Sequence, residues 1–383
     1  MKKLGIVVGI IVIVTLAIVL VSNLIRKGPE EIRVGIIFPM TGGLGAFGEE
    51  GKQAIDMIVE QINSSGGIRG KTIWIKYEDS QSSPTSTVNA VRKLIDVDKV
   101  IAVIGEVASS NTLAAAPILQ EKGIPLVVPA STNVEITKVG DYISRVCFID
   151  SDQGLAMANF CFYNLGMKKS AIIVDQSSAY SVDLAQYFIN RFKELGGEVV
   201  AREAFFQGSL DFRTQLSKIV ARNPDFIYLP VNYQEAGLLL KQAKELGIKA
   251  QIVGSDAWSS PKLFEIAGSA ASDHFMTAHF SPEDTAIIVK NFVTEFSKRY
   301  GTKPSNMSAL AYDAAGLLFA ALRRCAEITP SRLRDELNKT KGFKGVTGDI
   351  TLDSLRNPIK TIIILRTTKD GQFSFYGKVT PQK

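Results

Sequence analysis

The sequence predicts an α/β protein of two doubly wound lobes, each built on a parallel sheet, behind one N-terminal hydrophobic segment. Short apolar runs rich in β-branched residues alternate with helical patterns along most of the chain. The alternation divides into two sets of similar length, about 32–145 and 151–279. A length of 383 residues also suits two domains, at about 150 residues for each.

The N-terminal segment differs in composition from everything that follows. Met1-Lys2-Lys3 precedes an uncharged stretch from Leu4, and apolar residues continue to Ile25, before Arg26-Lys27. A helix from Leu4 to Ile25 would be about 33 Å long, enough to cross a bilayer and longer than the apolar region of a cleaved signal peptide. We therefore predict an uncleaved membrane anchor within residues 1–31, with a cleavable signal as the alternative.

Composition and charge exclude several classes of protein. With 46% apolar and 21% charged residues the chain is not disordered. The net charge of +6 is spread along the chain without a basic stripe, so no nucleic-acid partner is expected. Cys147, Cys161 and Cys325 are too few for a disulfide framework. We expect buried free thiols, with a Cys147–Cys161 bridge as the alternative.

Nine short apolar runs predict strands. They span 32–38, 72–78, 100–104, 125–128, 170–174, 198–204, 226–229, 251–254 and 275–278. The clearest helix covers 49–62, where Ile55, Ile58 and Ile62 form one stripe and Gly66-Gly67 follow its end. Helices near 282–300 and 308–327, a short run over 348–352 and a hairpin over 361–376 complete the chain.

Polar residues follow two of the predicted strands in the first set. Ser109-Ser110 open the helix after 100–104, and Ala130-Ser131-Thr132 follow 125–128. In parallel sheets ligands bind at the carboxyl ends of strands, and hydroxyls beside free N–H groups suit a carboxylate. Helix capping would explain each cluster alone. Two neighbouring clusters favour one shared anion site.

The second set places an acid and aromatic groups at equivalent strand ends. Asp256 and Trp258 follow 251–254, so Asp256 could pair with a ligand ammonium. The alternatives are that Asp256 caps a helix starting near Ser260-Pro261 and that Trp258 belongs to the core. The other strand ends supply Tyr180, Asn232 and Tyr233.

Catalytic motifs are weak or missing. Gly43-Leu-Gly45-Ala-Phe-Gly48 matches G-x-G-x-x-G, which makes an NAD-dependent oxidoreductase the alternative from another class. We reject it because Glu49-Glu50 would repel a pyrophosphate and because residues 39–42 separate the glycines from the strand. His274 and His279 suit no common zinc site and are expected to be structural. We expect binding rather than catalysis, with no cofactor and no metal.

With these turns located, the chain resembles the type I periplasmic binding proteins of ABC importers, specifically the branched-chain amino-acid (Leu/Ile/Val) binding family. The resemblance covers nearly all of 32–375. Its most specific parts are GIIFPMTG from Gly35, NSSGGIRG from Asn63, Ile104-Gly105 through Ser110, Pro129 to Thr132, SDQG from Ser151, and Gly254-Ser-Asp256. It implies lobes of 32–150 plus 280–357 and 151–279 plus 358–383, joined by a three-crossover hinge and closing over a ligand.

The resemblance also implies roles for individual residues. Ser109, Ala130 and Thr132 correspond to positions that hold a ligand carboxylate, and Asp256 to the acid for its ammonium. The cleft wall would contain Phe47, Tyr180, Asn232 and Tyr233. Ser110, Ser131 and Trp258 complete the candidate site.

Together these observations predict a monomeric solute-binding receptor outside the cytoplasm, anchored to the membrane. It would bind an uncharged amino acid, branched-chain or otherwise apolar, and deliver it to the permease and ATPase subunits of an ABC importer. The alternative is a binding protein or sensor for amides, urea or aromatic acids.

Overall fold

The computed structural model describes residues 31–380 as an α/β fold with two main sheets. The predicted anchor lies outside these residues except for Glu31, the first residue of the first strand. Between residues 31 and 380 no helix is long and apolar enough to cross a membrane.

The first sheet has the strand order β2-β1-β3-β4-β5, and all of its strands are parallel. The strands are β1 (Glu31–Phe38), β2 (Thr72–Asp79), β3 (Ala102–Gly105), β4 (Leu126–Val128) and β5 (Ile143–Arg145). Successive side chains of a strand point to opposite faces. Ile36 therefore packs into the cluster with α1 (Gly45–Ser64), and Ile37 into the one with α2 (Pro84–Asp96) and α3 (Ser109–Lys122).

In helix α1 the local sequence explains both which face is buried and where the helix ends. Ile55, Ile58 and Ile62 are all buried on one face, as their spacing predicts. The helix ends before Gly66 and Gly67, which have φ angles of 92° and 76°. The Gly67 N–H donates to the carbonyl of Ile62, so the glycines satisfy the end of the helix in a conformation that other residues rarely adopt.

The second sheet has the order β14-β13-β10-β9-β8-β6-β7. Its strands are β6 (Lys169–Asp175), β7 (Glu198–Phe205), β8 (Phe226–Leu229), β9 (Gln251–Gly254), β10 (Phe275–Ala278), β13 (Ile362–Thr367) and β14 (Phe373–Val379). Strands β6 to β10 pair in parallel, while β13 is antiparallel to β10 and β14. The helices around it are α4 (Asp150–Asn159), α5 (Ala179–Glu194), α6 (Arg213–Val220), α7 (Tyr233–Glu245) and α8 (Lys262–Ala267).

The chain passes between the two sheets three times. It leaves the first sheet after β5 and the second after β10, and it returns to the second sheet at β13. Between β10 and β13 lie α9 (Ile287–Tyr300), α10 (Asn306–Arg324), α11 (Pro330–Asn338), β11 (Phe343–Gly345) and β12 (Gly348–Ile350). Helix α10 packs along α1, beside the first sheet. The division into lobes at 150, 280 and 357 stays a prediction.

The predicted elements agree with the observed ones except in a few places. Of the nine predicted apolar runs, those of β8, β9 and β10 have the predicted bounds, and the other six differ by at most two residues at either end. The hairpin predicted over 361–376 extends three residues further, to Val379. Helix α11 was not predicted, although Thr329-Pro330 is a typical helix start and the Thr329 hydroxyl accepts from the Arg332 N–H. All three cysteines are buried and free, so the alternative of a Cys147–Cys161 bridge is wrong.

Candidate functional site

The candidate site is a cleft between the carboxyl ends of the two sheets. It encloses about 490 Å³ of space, part of it open to solvent. Its lining consists of Leu44, Phe47, Val107, Ala108, Ser109, Ala130, Thr132, Tyr180, Asn232, Asp256, Ala257, Ser259, His279, Asn306, Met307 and Leu310. Strand order reverses at β1/β3 in one sheet and at β6/β8 in the other, the usual place for a ligand in such sheets.

One side of the cleft carries hydroxyl groups. Ser109 begins α3, whose N-cap is Ala108 without a capping side chain, so ordinary capping does not explain the serine. The Ser109 hydroxyl accepts a hydrogen bond of 3.3 Å from the backbone of Asn133, which links the turns after β3 and β4. The turns after these two neighbouring strands therefore form one polar surface, and its role as an anion site stays a prediction.

Thr132 contributes the most unusual group on this side. The residue is 1% exposed, and its hydroxyl has no hydrogen-bond partner of standard geometry in the described part of the chain. It lies close enough to the buried carboxyl of Asp150 to lower the pKa of that group, which burial raises overall. A buried hydroxyl without a standard hydrogen bond costs stability. Thr132 is therefore a candidate for a hydrogen bond to a ligand.

The opposite side of the cleft carries the carboxylate of Asp256. The Tyr180 hydroxyl donates to Oδ1 at 2.6 Å, and Nε2 of His279 lies 3.0 Å from Oδ2. The Asp256 backbone N–H donates to Oε1 of Gln153 at 3.2 Å. These contacts hold the side chain toward Tyr180 and His279, so the alternative that Asp256 caps helix α8 does not describe this structure.

The protonation states around Asp256 follow from burial. Burial and the nearby Asp256 charge raise the pKa of Tyr180 well above its ordinary value, so the phenol stays a donor. Burial lowers the pKa of His279, against the opposing effect of Asp256. At neutral pH Asp256 is therefore surrounded by two neutral groups rather than by a fixed cation.

The surface between the two polar sides is mainly apolar. Leu44 and Phe47 come from the start of α1, and Met307 and Leu310 from α10. Phe47 meets Tyr233 edge to face, with ring centroids 5.0 Å apart. The cleft therefore combines one hydroxyl-lined side, one acidic side and an apolar wall.

Four of the predicted site residues lie outside this lining. The Ser110 hydroxyl accepts from the Ala179 N–H at 3.1 Å, and Ser131 donates to the carbonyl of Glu106 at 2.9 Å. The Tyr233 hydroxyl donates to the carbonyl of Gly43 at 3.0 Å. Trp258 is fully buried, because its indole occupies the space beside Gly254 where a side chain would otherwise stand.

Other lining residues were missed from the sequence. His279 directly follows β10, so the strand-end rule that selected Asp256 would also have selected it; instead it was expected to be structural. Asn306, Met307 and Leu310 belong to α10, which reaches the cleft only through its packing on α1. No local pattern in the sequence indicates that contact.

Polar contacts also join the two sides of the cleft. Nδ2 of Asn133 donates to Oδ2 of Asp183 at 2.6 Å, and the Ser110–Ala179 and Tyr233–Gly43 contacts also cross the cleft. A further contact joins Ser260 to Glu50 at 2.8 Å. Within residues 31–380 no cluster of three or more His, Cys, Asp or Glu side chains could hold a metal ion.

The chain is similar in sequence and fold to several known proteins. A leucine binding protein of Thermotoga maritima is 37% identical, with a TM-score of 0.88 over 91% of this chain and 99% of that one. A branched-chain amino acid transporter substrate binding protein of Streptococcus pneumoniae, solved with isoleucine, is 31% identical, with a TM-score of 0.87 over 92% and 100%. Leu/Ile/Val-binding protein homolog 2 of Brucella abortus is 28% identical over 357 residues, which are 91% of this chain and 94% of that protein. The model of the family described as periplasmic binding protein matches residues 31–372, and the chain belongs to that family.

Proposed function

We propose that this protein is the solute-binding receptor of an ABC importer and that it binds an uncharged amino acid, branched-chain or otherwise apolar, in the cleft. The observation that carries the proposal is the separation of two opposite polar sides by an apolar wall. The hydroxyls of Ser109 and Thr132 stand on the side of the first sheet, and the Asp256 carboxylate on the side of the second. A zwitterion matches this arrangement.

The carboxylate of the ligand would lie against Ser109, Ala130 and Thr132. The start of helix α3 carries partial positive charge, and its first N–H groups have no partners within the helix. The Thr132 hydroxyl, which has no hydrogen bond of standard geometry within residues 31–380, would donate to the same carboxylate. Binding would thereby give this buried hydroxyl a standard hydrogen bond.

The ammonium of the ligand would pair with Asp256. Both carboxylate oxygens already accept one hydrogen bond, from Tyr180 and His279, and each keeps a lone pair. Because the two polar sides come from different sheets, a ligand with both groups makes its full set of contacts only when the cleft is shut. Ligand binding then favours the closed form.

The rest of the lining supports an uncharged side chain. Apart from Asp256, no Asp, Glu, Lys or Arg is found among the lining residues within the described part of the chain. Leu44, Phe47 and Met307 offer apolar contact, which favours an aliphatic or aromatic side chain over a charged one. The names of the relatives, which include leucine binding and Leu/Ile/Val-binding proteins, support the same class of ligand.

Membership of the family supports a general location for the protein and a general class of partners. Members of the periplasmic binding protein family act outside the cytoplasm. We further propose that the protein is a monomer that delivers its ligand to a permease and its ATPase. Residues 1–31 would hold it at the membrane, and the lobes would hinge near 150, 280 and 357.

The test is a thermal-shift screen of the purified protein against the standard amino acids, urea, acetamide and benzoate. A ligand at 100 times its dissociation constant stabilises a folded protein by about 2.7 kcal/mol. We expect leucine, isoleucine or valine to raise the melting temperature, and Asp256→Asn to reduce that rise. Asp349→Asn, at an exposed carboxylate in the β11–β12 hairpin, is the control. Stabilisation by benzoate or an amide alone would favour the alternative ligands and contradict the role of Asp256.

A further inference from the structure

His279 is held by contacts on several sides. Its ring stacks on Phe148 with centroids 3.6 Å apart and an interplanar angle of 21°. Its backbone N–H donates to Oδ1 of Asn306 at 2.7 Å, and its side chain is 1% exposed. Phe148 and His279 lie in the first two connections between the sheets, so the ring stands where the cleft meets those connections.

The hydrogen-bonding state of this ring follows from its two nitrogens. Nε2 is 3.0 Å from Oδ2 of Asp256, whereas Nδ1 has no partner in the described part of the chain. A proton on Nδ1 would therefore be buried and unpaired, which is costly. The charges that face the ring are the Asp256 carboxylate and the Lys360 ammonium. The tautomer consistent with these contacts is the neutral one, with the proton on Nε2 pointing to Asp256.

The contact with His279 completes a clamp on the Asp256 carboxylate. The Tyr180 hydroxyl holds one oxygen at 2.6 Å and His279 the other at 3.0 Å. Two donors on two oxygens fix the plane of the carboxylate as well as its position. A charged group in a fixed orientation binds its partner without a reorganisation cost at the moment of binding.

We propose that His279 is a positioning residue, whose neutral imidazole holds Oδ2 of Asp256 so that the carboxylate faces the ammonium of the bound amino acid. This inference rests on the proposed function, because it assigns His279 a role in the same site. It predicts that His279 acts on ligand binding through Asp256. A histidine that only fills space would affect binding independently of that carboxylate.

The experiment is a double-mutant cycle in the full-length protein. Dissociation constants for L-leucine, L-isoleucine and L-valine are measured by calorimetry for the wild type, His279→Phe, Asp256→Asn and the double variant. Phenylalanine keeps a ring to stack on Phe148 but cannot donate a hydrogen bond. We expect His279→Phe to weaken binding about tenfold, and the double variant to bind no more weakly than Asp256→Asn. Independent, multiplying losses would overturn the proposal.

Two further variants separate positioning from packing. His279→Gln can still donate to Asp256, and we expect it to bind within about threefold of the wild type. His274→Leu is the control, because His274 is partly buried and contacts Ala270 and Gln251 rather than the cleft. It should lower the melting temperature and leave the affinity unchanged. If His279→Phe does not fold, His279→Leu takes its place in the cycle.

The outcomes also distinguish this inference from the function on which it rests. If the wild type binds none of the three amino acids, or if Asp256→Asn binds as well as the wild type, the proposed function fails. If Asp256→Asn loses affinity while His279→Phe binds normally or His279→Gln does not restore binding, the positioning role alone is wrong.

Discussion

The Ser260 hydroxyl donates a hydrogen bond of 2.8 Å to Oε1 of Glu50 and so joins the two sides of the cleft. Glu50 lies on α1, and Ser260 follows β9. Ser305, directly before α10, donates to the second carboxyl oxygen at 2.6 Å. Burial raises the pKa of Glu50 to about 7, although both serine contacts oppose the rise. This contact therefore joins the two sides of the cleft through a titratable group.

Stability should depend on pH through Glu50. A carboxyl whose pKa is about 7 when folded and 4.5 otherwise binds its proton more tightly in the folded state. Its contribution is present in full below pH 4.5 and is lost as the pH rises through 7, in total about 3 kcal/mol as an order of magnitude. We expect Glu50→Gln to reduce the fall in unfolding free energy between pH 5 and 8, as measured by urea denaturation.

The pH experiment must account for other carboxyl groups and needs a control variant. Glu106 and Glu235 also have pKa values raised to about 7 by burial, so some pH dependence will remain in the variant. Glu49→Gln is the control, because Glu49 is the exposed neighbour of Glu50 on the same helix. A Glu50→Gln profile parallel to that of the wild type would show that this carboxyl does not titrate in the range.

Substitution by valine should affect the stability of the protein differently at Thr132 and at Thr112. Both are buried, but the Thr132 hydroxyl has no standard hydrogen bond to any described residue, whereas that of Thr112 contacts the Ala108 carbonyl at 3.1 Å and Ser131 at 2.6 Å. We expect Thr132→Val to leave the stability without ligand unchanged or higher and to weaken amino-acid binding about tenfold. Thr112→Val should cost about 1–2 kcal/mol of stability. Equal stability losses in the two variants would contradict this assignment.

The Asn133–Asp183 contact should stabilise the closed form. Its 2.6 Å hydrogen bond joins the turn after β4 to helix α5, and the acceptor is a carboxylate. We expect Asp183→Ala to weaken ligand binding about fivefold, by about 1 kcal/mol, because closure loses one charge-assisted contact. Gln186→Ala, on the exposed surface of the same helix, is the matched control. Equal affinities for the two variants would mean that this contact does not contribute to closure.

Gly254 should tolerate no side chain. A Cβ at this position would overlap the indole of the fully buried Trp258, two residues beyond Asp256. We expect Gly254→Ala to cost about 1–3 kcal/mol of stability and to weaken ligand binding, because the turn that carries Asp256 must shift. Gly377→Ala is the control, since no atom of the described residues lies within 4 Å of the position that a Cβ would take there. Thermal denaturation of both variants checks the difference, and equal melting temperatures would contradict it.

Much of the fold could be predicted because each element is determined locally. Strands of a parallel sheet that is covered on both faces are short apolar runs, and β8, Phe226–Leu229, is such a run with all four residues buried. Helix α1 ends where Gly66 and Gly67 follow it. Helix α11 was missed although Thr329-Pro330 marks its start, because its nine residues bury only Leu333 and Leu337 and so present a weak apolar pattern.

The residues that line the candidate site, like the elements of the fold, could be predicted where local sequence determines the position of a residue and not elsewhere. Ser109, Ala130, Thr132 and Asp256 line the cleft because they follow strands, and the ends of parallel strands meet at one edge. Trp258 also follows a strand, but a short helical turn directs its indole away from the cleft into the space beside Gly254. Which side of a turn faces the cleft depends on packing against its neighbours, and residue spacing does not record it.

Local sequence is enough to predict the α/β class, the two sets of alternating elements and the strand ends at which polar groups gather, because these depend on periodicity and on residue types at short range. Three contacts depend instead on the folded arrangement of the chain: α10 reaches the cleft, His279 meets Asp256 and Glu50 meets Ser260. Those pairs are separated by 23 and 210 positions along the chain. Their contact follows from the three passages of the chain between the sheets and from the packing of whole elements, which no local pattern of residues specifies.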